Sequence, residues 1–572
     1  MKKQKYCKYL IDLFKKDKTL KDNEEELRDL NWYQRLVKKA YPLGFLFELK
    51  ALLRLAIPIS ISSVFTYTIA PVSMAFCGHL GKFQLATMGL AMSVFSVCGM
   101  FVILGLLTAC DTLFSQTYGS TAKDKMVLQL YRAVVLISLC CIPSCALYLN
   151  AEPILLLLGQ NPIIAKGTAD LLIYLIPALF FGALGQLLIK FVQTQNCVYA
   201  PLFIMILVNG VNALMHYILI YLLKMDVSGS PISQATAYAF EVICFIVYIK
   251  FKGISKNMNF KPTLEIWDDW STWFRLAIPG LIMVSLEWTI YEIGGFVAGT
   301  LGARELAAQT IVITIGSVCY TLIPHGVGSA TGIRVGQYLG SGSAKGPHSV
   351  FSVAITLVGA WALPYLGILI ALRWHLPKIF TFDNGVIELV AELMPIISVF
   401  QLSMGQMVSV AIEGNLDWFS KRSNNTSINT MRYCFKLNWT TQIKLALQRI
   451  KAENDSSELP TKNLGELYAT GILKVEEDDT LSVKHSQQNE LTVLSKNEST
   501  LSKSKVHTIN KKIIRNRAIF ILILLLLLIS SILCRIFLNL PDFFGVYCVY
   551  SNDTFININS NHFNGNCTVV VP

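Results

Sequence analysis

The pentapeptide RLAIP occurs twice in the chain, at residues 54–58 and again at residues 275–279, a spacing of 221 residues. The same spacing relates three further pairs of segments: 78–81 and 299–302, 85–86 and 306–307, and 116–120 and 337–341. The register holds without a gap and includes proline and glycine, which composition alone rarely produces. This pattern indicates an internal duplication that begins near residue 54 and again near residue 275.

The rest of the chain is dominated by apolar residues. Hydrophobic residues make up 53% of the 572 residues and charged residues only 15%, against about 25% charged residues in soluble domains. A soluble enzyme is therefore excluded, and apolar runs of about 20 residues predict helices that cross a bilayer. The predicted spans are 52–76, 86–109, 128–149, 168–189, 201–223, 231–249, 275–301, 307–330, 350–372, 386–412 and 517–537.

Lys and Arg residues are concentrated on one side of these spans. The first 50 residues contain 13 of them, and in an alternating count the same side receives Lys123, Lys125, Arg132, Lys190, Lys250, Lys252, Lys256, Lys261, Arg334 and Lys345. Because cytoplasmic loops carry this excess, we expect a cytoplasmic N-terminus. No Lys or Arg follows Arg535, so the last span is expected to exit outward to an extracellular C-terminus. We expect a plasma-membrane protein, with an intracellular vesicle membrane as the alternative.

The duplication predicts two parallel lobes, because both copies enter the membrane from the same side. The fifth and sixth spans of the first copy should recur at 422–470, but that stretch is polar and cannot cross a bilayer. The predicted fold is all-α, with a six-helix lobe, an incomplete four-helix lobe and one additional C-terminal helix. The predicted segments are a basic cytoplasmic tail (1–50), the first lobe (51–250), a cytoplasmic linker (251–273), the second lobe (274–412), a polar cytoplasmic linker (413–516), the last helix (517–538) and an extracellular tail (539–572).

Four sequence motifs resemble the multidrug and toxin extrusion (MATE) family in its animal-type branch. They are FCGHLGK at 76–82, ACDTLFSQTYGS at 109–120, LEWTIYE at 286–292 and RVG at 334–336. The resemblance runs from about residue 50 to 412 and resumes at 436–439 and in the last helix. It implies two six-helix lobes around a central cavity, protons that enter as organic cations leave, and a thirteenth helix. It also implies that helices eleven and twelve are missing where the chain passes from Ile412 to Lys436.

Two glutamates of the seventh span are the leading candidates for ion coupling. The chain contains no GxxxxGK[ST] nucleotide-binding motif, so an ion gradient is the expected energy source. Glu287 and Glu292 lie deep in an apolar span, where a charge costs about 2.5–3.5 kcal/mol and is usually kept for function. Each could bind a proton in one state and release it in another. The alternative is a structural glutamate that a neighbouring helix satisfies.

Aromatic and small polar residues complete the predicted cavity. Trp288 and Tyr291 lie three residues apart, on one helix face, and could hold a cation against their rings. The resemblance also marks Tyr320, Cys77 and the position of Ser96, where the family has an asparagine. A packed, inert thiol is the alternative for Cys77.

Two of the four carboxylates that the family carries are replaced, by Thr314 and Met404. The coupling mechanism that can be carried over therefore rests on the pair in the seventh span. Asp111, at the end of the second span, is expected to order the adjacent loop.

The expected function is export of organic cations and weak bases in exchange for protons. The expected partners are those cations, protons and the lipid bilayer, without nucleic acid, and we expect a monomer. The sequence predicts no catalytic group, no metal site and no cofactor. The alternative is a non-transporting membrane protein, either truncated or derived from a splice form or an incorrectly joined gene model.

Overall fold

The computed structural model describes residues 45–252, 264–301, 303–343, 345–381, 383–402, 447 and 511–537, and three short strands in the C-terminal tail. The first half contains α1 (Phe45–Leu80), α2 (Lys82–Phe95), α3 (Phe101–Gly119), α4 (Met126–Leu149), α5 (Ala151–Leu157), α6 (Pro162–Gln193), α7 (Tyr199–His216) and α8 (Gly229–Phe251). The second half contains α9 (Trp270–Leu301), α10 (Ala303–Leu322), α11 (Pro324–Gly340), α12 (Lys345–Ala371), α13 (Asn384–Leu402) and α14 (Lys511–Phe537).

The predicted spans are confirmed as helices. Each begins within a helix and ends with it to within one residue, except the tenth, whose described helix ends at Leu402. Nine helical stretches in the described part of the chain are long and apolar enough to cross a membrane. The protein is therefore a polytopic all-α membrane protein.

Local irregularities divide two of the long helices. A π-helical turn, Ser96–Met100, joins α2 to α3, and Pro324 separates α10 from α11 within one predicted span. Proline is tolerated at the first turn of a helix because no backbone hydrogen bond is lost there. Each of these spans therefore consists of two helical pieces that can lie at different angles.

The two copies of the repeat meet in a symmetric contact. A Cβ atom at Gly119 of α3 would clash with the backbone of Gln337 on α11, and a Cβ at Gly340 would clash with the backbone of Gln116. These four positions are exchanged by the spacing of 221 residues. The structure thus shows the duplication as a two-fold relation between lobes, with glycine where the backbones approach most closely.

A second symmetric contact lies further along the same helices. Gly105 of α3 packs against Leu281 of α9, and Gly326 of α11 packs against Ser60 of α1. The same spacing relates these two pairs. The lobes are therefore joined by α1 and α3 of the first and α9 and α11 of the second.

Side-chain hydrogen bonds close the end of the bundle at which α1 and α9 begin. We call this end, with the loops at 120–125 and 194–198, the basic end. Arg334 of α11 donates to both carboxylate oxygens of Glu48 on α1, at 2.9 and 2.8 Å. Tyr338 also donates to Glu48, and Gln337 donates to the carbonyl oxygen of Thr194 at 2.8 Å. These bonds connect the two lobes.

The last helix, α14, packs against α4 of the first lobe. Near one end Arg517 lies over the Trp270 ring at 5.0 Å, and near the other Arg535 donates to the carbonyl oxygen of Leu149 at 2.8 Å. Beyond α14 the tail forms a three-stranded antiparallel sheet of order β2-β1-β3, with β1 Tyr547–Val549, β2 Phe555–Asn557 and β3 Thr568–Val570. Sequence analysis did not predict this small sheet.

Several predicted segments lie outside the described residues. They are the basic tail before residue 45, most of the linker 413–516, and the junction from Ile412 to Lys436. The predicted loss of helices eleven and twelve therefore stays a prediction, as do the segment boundaries.

Candidate functional site

The predicted glutamates lie on the helix that joins the lobes. Glu287 and Glu292 fall in the middle of α9, and the side chains of both glutamates and of Tyr291 are outside the described residues. Trp288, directly after Glu287, is half-buried and stacks on Phe101 of α3, with ring centroids 4.2 Å apart and an interplanar angle of 13°. The segment 287–292 therefore flanks a contact between the lobes, and one face of the Trp288 ring already carries an aromatic partner.

Ser96 lies on the π-helical turn that precedes this contact. The turn ends at Met100, and Phe101 is the first residue of α3. Ser96 is half-buried. Single π-helical turns are rare and occur often at functional sites, so the turn places Ser96 and Phe101 on the same irregular stretch of the second span. Sequence periodicity gave no indication of this turn.

Tyr320 lies beside the break in the eighth span. Its ring meets the ring of His325 edge to face, with centroids 5.8 Å apart. His325 is on the first turn of α11, and its Nδ1 atom is buried without a hydrogen-bond partner in the described part of the molecule. Sequence analysis did not select His325 as a site residue. Its signal was the proline immediately before it, which predicts a helix start inside a membrane span.

Cys77 is fully buried within the first lobe. Its neighbour Ser230 on α8 is also fully buried and lies 3.0 Å from Nε2 of His216. This location gives Cys77 a packing role among buried polar side chains. Its predicted contribution to a cation cavity stays a prediction.

An ion pair inside the bundle was missed by sequence analysis. Nζ of Lys190, on α6, lies 2.5 Å from Oδ2 of Asp111 on α3. Asp111 is therefore held by a neighbouring helix, and the expected loop-ordering role is replaced by this contact. The two residues are 79 positions apart, so no local sequence spacing could have paired them.

Glu241 of α8 is a second charged group that sequence analysis left open. It is fully buried, and neither carboxylate oxygen has a hydrogen-bond partner among the described residues. Its carboxyl occupies the space above Gly185 of α6, where a Cβ would lie 2.5 Å from Oε1. Burial of this kind disfavours an ionised carboxylate, so Glu241 packs within the first lobe.

Taken together, the geometry places three groups of side chains along the boundary between the lobes. The first is the Glu48–Arg334 pair at the basic end, the second is the Asp111–Lys190 pair above it, and the third is the Trp288–Phe101 stack. No group of three His, Cys, Asp or Glu side chains with metal-binding geometry occurs in the described portion. The arrangement is suited to binding and releasing charged ligands between two movable bodies.

Comparison with known proteins identifies the same two halves. The MatE family model matches residues 58–218 and 279–415. The two matched segments begin 221 residues apart, which confirms the duplication, and the second is shorter than the first. If both had equal length, the second would extend to about residue 439.

Curated relatives are animal transporters. Multidrug and toxin extrusion protein 1 of Mus musculus is 29% identical over 548 residues, covering 87% of this chain and 95% of the mouse protein. Multidrug and toxin extrusion protein 2 of the same species is 36% identical over 386 residues, covering 68% of this chain and 67% of the relative. In the first alignment 87% of this chain is about 498 residues, so about 50 of the 548 aligned positions have no residue here.

Solved structures show the same fold. The eukaryotic MATE transporter AtDTX14 matches with a TM-score of 0.65 at 22% identity, covering 71% of this chain and 100% of that structure. The Vibrio cholerae MATE transporter VcmN in its bent form matches with a TM-score of 0.58 at 16% identity, covering 72% of this chain and 99% of that structure. The second and seventh spans of this chain thus lie within a known transporter architecture.

Proposed function

The chain belongs to the multidrug and toxin extrusion family, in its animal-type branch, and from this premise we propose that it is a proton-coupled antiporter that exports organic cations and drug-like weak bases. The observation that carries the proposal is the Trp288–Phe101 stack between α9 and α3. It sets the segment with Glu287 and Glu292 at the boundary of two lobes. A cation bound there would be in contact with the surface at which the lobes separate.

Exchange follows from the chemistry of carboxyl groups at membrane depth. An ionised glutamate attracts a cation, whereas a protonated glutamate releases it, and burial favours the protonated form when no cation is present. Proton entry and cation exit are then alternatives at one site. Glu287 and Glu292 are the proposed exchange groups, and Trp288, Tyr291 and Tyr320 are the proposed aromatic contacts for the cation.

The sidedness of the proposal follows from the charged loops. Cytoplasmic loops carry the excess of Lys and Arg, so the basic end is the proposed cytoplasmic end and the C-terminal tail is the proposed extracellular segment. The contacts among Glu48, Arg334, Gln337 and Thr194 then close the cytoplasmic face. We infer a plasma-membrane transporter in a conformation that is closed toward the cytoplasm.

The test is transport of a permanently charged tetraalkylammonium ion in cells that express the full chain. Uptake should accelerate when the external medium is made alkaline or the cytoplasm is made acidic, because a proton leaves as each cation enters. A permanently charged probe excludes changes in substrate protonation as the cause. Uptake that ignores the proton gradient would contradict antiport and leave facilitated transport as the activity.

A non-transporting form is the second candidate, and one specific observation favours it. The roughly 50 aligned positions that have no residue here are enough for two spans of about 20 residues and a connecting loop. A second lobe without two helices need not transport. Absence of transport by the chain as given, together with transport by a completed chain, would assign this form to the second candidate.

A further inference from the structure

The Asp111–Lys190 ion pair lies inside the helix bundle. Asp111 is eight residues from the end of α3 at Gly119, which places it about 12 Å from that end at about 1.5 Å per residue. Both side chains nevertheless retain accessible surface, 41% for Asp111 and 21% for Lys190. The pair is therefore deep within the molecule and still reachable by a small ligand.

The accessible side of the pair faces the interior. Helix α3 packs against α4, α6, α9 and α11, so it is enclosed by both lobes. The residues between the pair and the basic end are more buried than the pair itself: Ser115 and Thr194 are fully buried, and Gln116 is 2% exposed. The opening beside Asp111 consequently leads into the space between the lobes and away from the closed basic end.

The strength of the pair suits exchange. A partly exposed ion pair contributes only about 0–1 kcal/mol, whereas an unpaired carboxylate at this depth is costly. Asp111 therefore needs a cation at all times, but it does not need this particular one. Lys190 lies three residues before the end of α6, so its long side chain can extend toward the basic end when another cation takes its place.

The charged and titratable groups around the pair favour such a displacement. His325 of α11, across the lobe boundary, is close enough to feel the charge of Lys190. Its ring is held by Tyr320 on α10. Cys110, the neighbour of Asp111, is buried against Trp273 of α9. None of these groups is an anion that would hold Lys190 in place apart from Asp111 itself.

We propose that Asp111 is a binding site for organic cations and that the ammonium group of Lys190 is its resident, displaceable counter-ion. The inference rests on the proposed function and adds a site in the first lobe to the glutamates of α9. The ligand class is a protonated amine or a quaternary ammonium ion small enough to enter between the lobes. When the cation leaves, Lys190 returns to Asp111, and no unpaired carboxylate remains.

The test is equilibrium binding of tetraethylammonium to the purified full chain in lipid nanodiscs. Asp111→Asn should weaken binding about ten-fold or more, because a charged contact is lost. Lys190→Met should strengthen binding about two- to five-fold, because the internal competitor is gone. Glu388→Gln is the matched control: Glu388 belongs to an exposed pair with Arg304, at 4.0 Å and 63% exposed, and its loss should leave affinity unchanged.

Opposite signs distinguish this site from a structural pair. If the pair only stabilised the fold, both variants would lower the melting temperature and shift affinity in the same direction or leave it unchanged, which overturns the inference. Lys190→Gln replaces Lys190→Met should the latter fail to fold. A wild-type chain that binds tetraethylammonium with unchanged affinity in both variants overturns this inference alone. A wild-type chain that does not bind it overturns the proposed function as well.

Discussion

Charged side chains inside the bundle occur in two kinds of surroundings. Arg334 and Glu48 are 16% and 7% exposed and share two short hydrogen bonds, so each satisfies the other. Asp111 and Lys190 are more exposed and share one contact. The first pair is suited to holding the lobes together, and removal of one partner would leave a buried charge at a cost of about 3–5 kcal/mol. The second pair is suited to exchange.

The glutamates of α9 carry the first prediction. Glu287→Gln should abolish most proton-driven uptake of a tetraalkylammonium ion, and Glu292→Gln should reduce it several-fold. The amide keeps the size and hydrogen bonding of the side chain but can neither release a proton nor attract a cation. Uptake and surface abundance are measured together, so that loss of transport is separated from loss of protein.

The control for these variants is Glu388→Gln on α13. Glu388 is 63% exposed and lies near Arg304 at the opposite end from the basic loops. It should support normal uptake. Normal uptake by both Glu287→Gln and Glu292→Gln would return these residues to a structural role and would leave Asp111 as the carboxylate to examine.

Glu152 carries a prediction about pH. It lies on α5, between two spans, and burial raises the pKa of its carboxyl above the ordinary value of 4.5, although Lys166 and Arg535 oppose the shift. A raised pKa in the folded state stabilises the fold below pH 4.5, and this contribution is lost as the pH rises through the raised value. The wild-type chain should therefore lose stability relative to Glu152→Gln as the pH increases.

The measurement is the melting temperature of both chains at intervals from pH 4 to pH 8. The two curves should meet at the acid end and separate with increasing pH, with Glu152→Gln the more stable. Glu388→Gln, with its exposed side chain, should follow the wild-type chain throughout. Parallel curves for Glu152→Gln and wild type would show that Glu152 does not titrate as its burial requires.

At the scale of helices, the contact between α3 and α11 depends on two glycines. Gly119→Ala and Gly340→Ala should each destabilise the protein by about 1–3 kcal/mol, because the added methyl meets backbone that cannot move aside. Gly359→Ala on α12 is the matched control, since a Cβ there meets nothing within 4 Å. It should be neutral or slightly stabilising.

Thermal unfolding of the three variants in one detergent checks this prediction. A second readout is the accessibility of a cysteine placed at Ser120, which is 7% exposed. It should become reactive in Gly119→Ala if the lobes separate at the basic end. Equal melting temperatures for Gly119→Ala and Gly359→Ala would contradict the close approach of the two helices.

Some helical elements could be predicted from sequence and others could not. Hydropathy locates a span because burial in lipid requires about 20 apolar residues, whatever their neighbours are. It cannot locate the π-helical turn at Ser96–Met100, because one additional residue in a turn hardly alters the composition. The break at Pro324 had a local signal, but the pairing of Asp111 with Lys190 depended on how α3 and α6 pack.

The whole molecule was predictable to the extent that it repeats itself. The spacing of 221 residues found in RLAIP also separates the starts of the two family matches, and it exchanges the glycines where the lobes touch. A repeat constrains the fold because the same sequence buries the same faces twice. Function is less constrained, since the ion pairs that connect the lobes use residues that the repeat does not duplicate. Glu48 and Arg334 correspond to Asp269 and Leu113.

The last prediction concerns the two helices that the repeat leads one to expect after Ile412. A lobe without them leaves polar groups of its interior facing lipid, at several kcal/mol each, so the chain of 572 residues should accumulate poorly or remain in internal membranes. Insertion of about 50 residues that form two spans, taken from an animal relative, should restore surface expression and cation exchange. An insert of equal length and polar composition is the control and should restore neither. Strong surface expression with full transport by the uninserted chain would show that four helices close the second lobe.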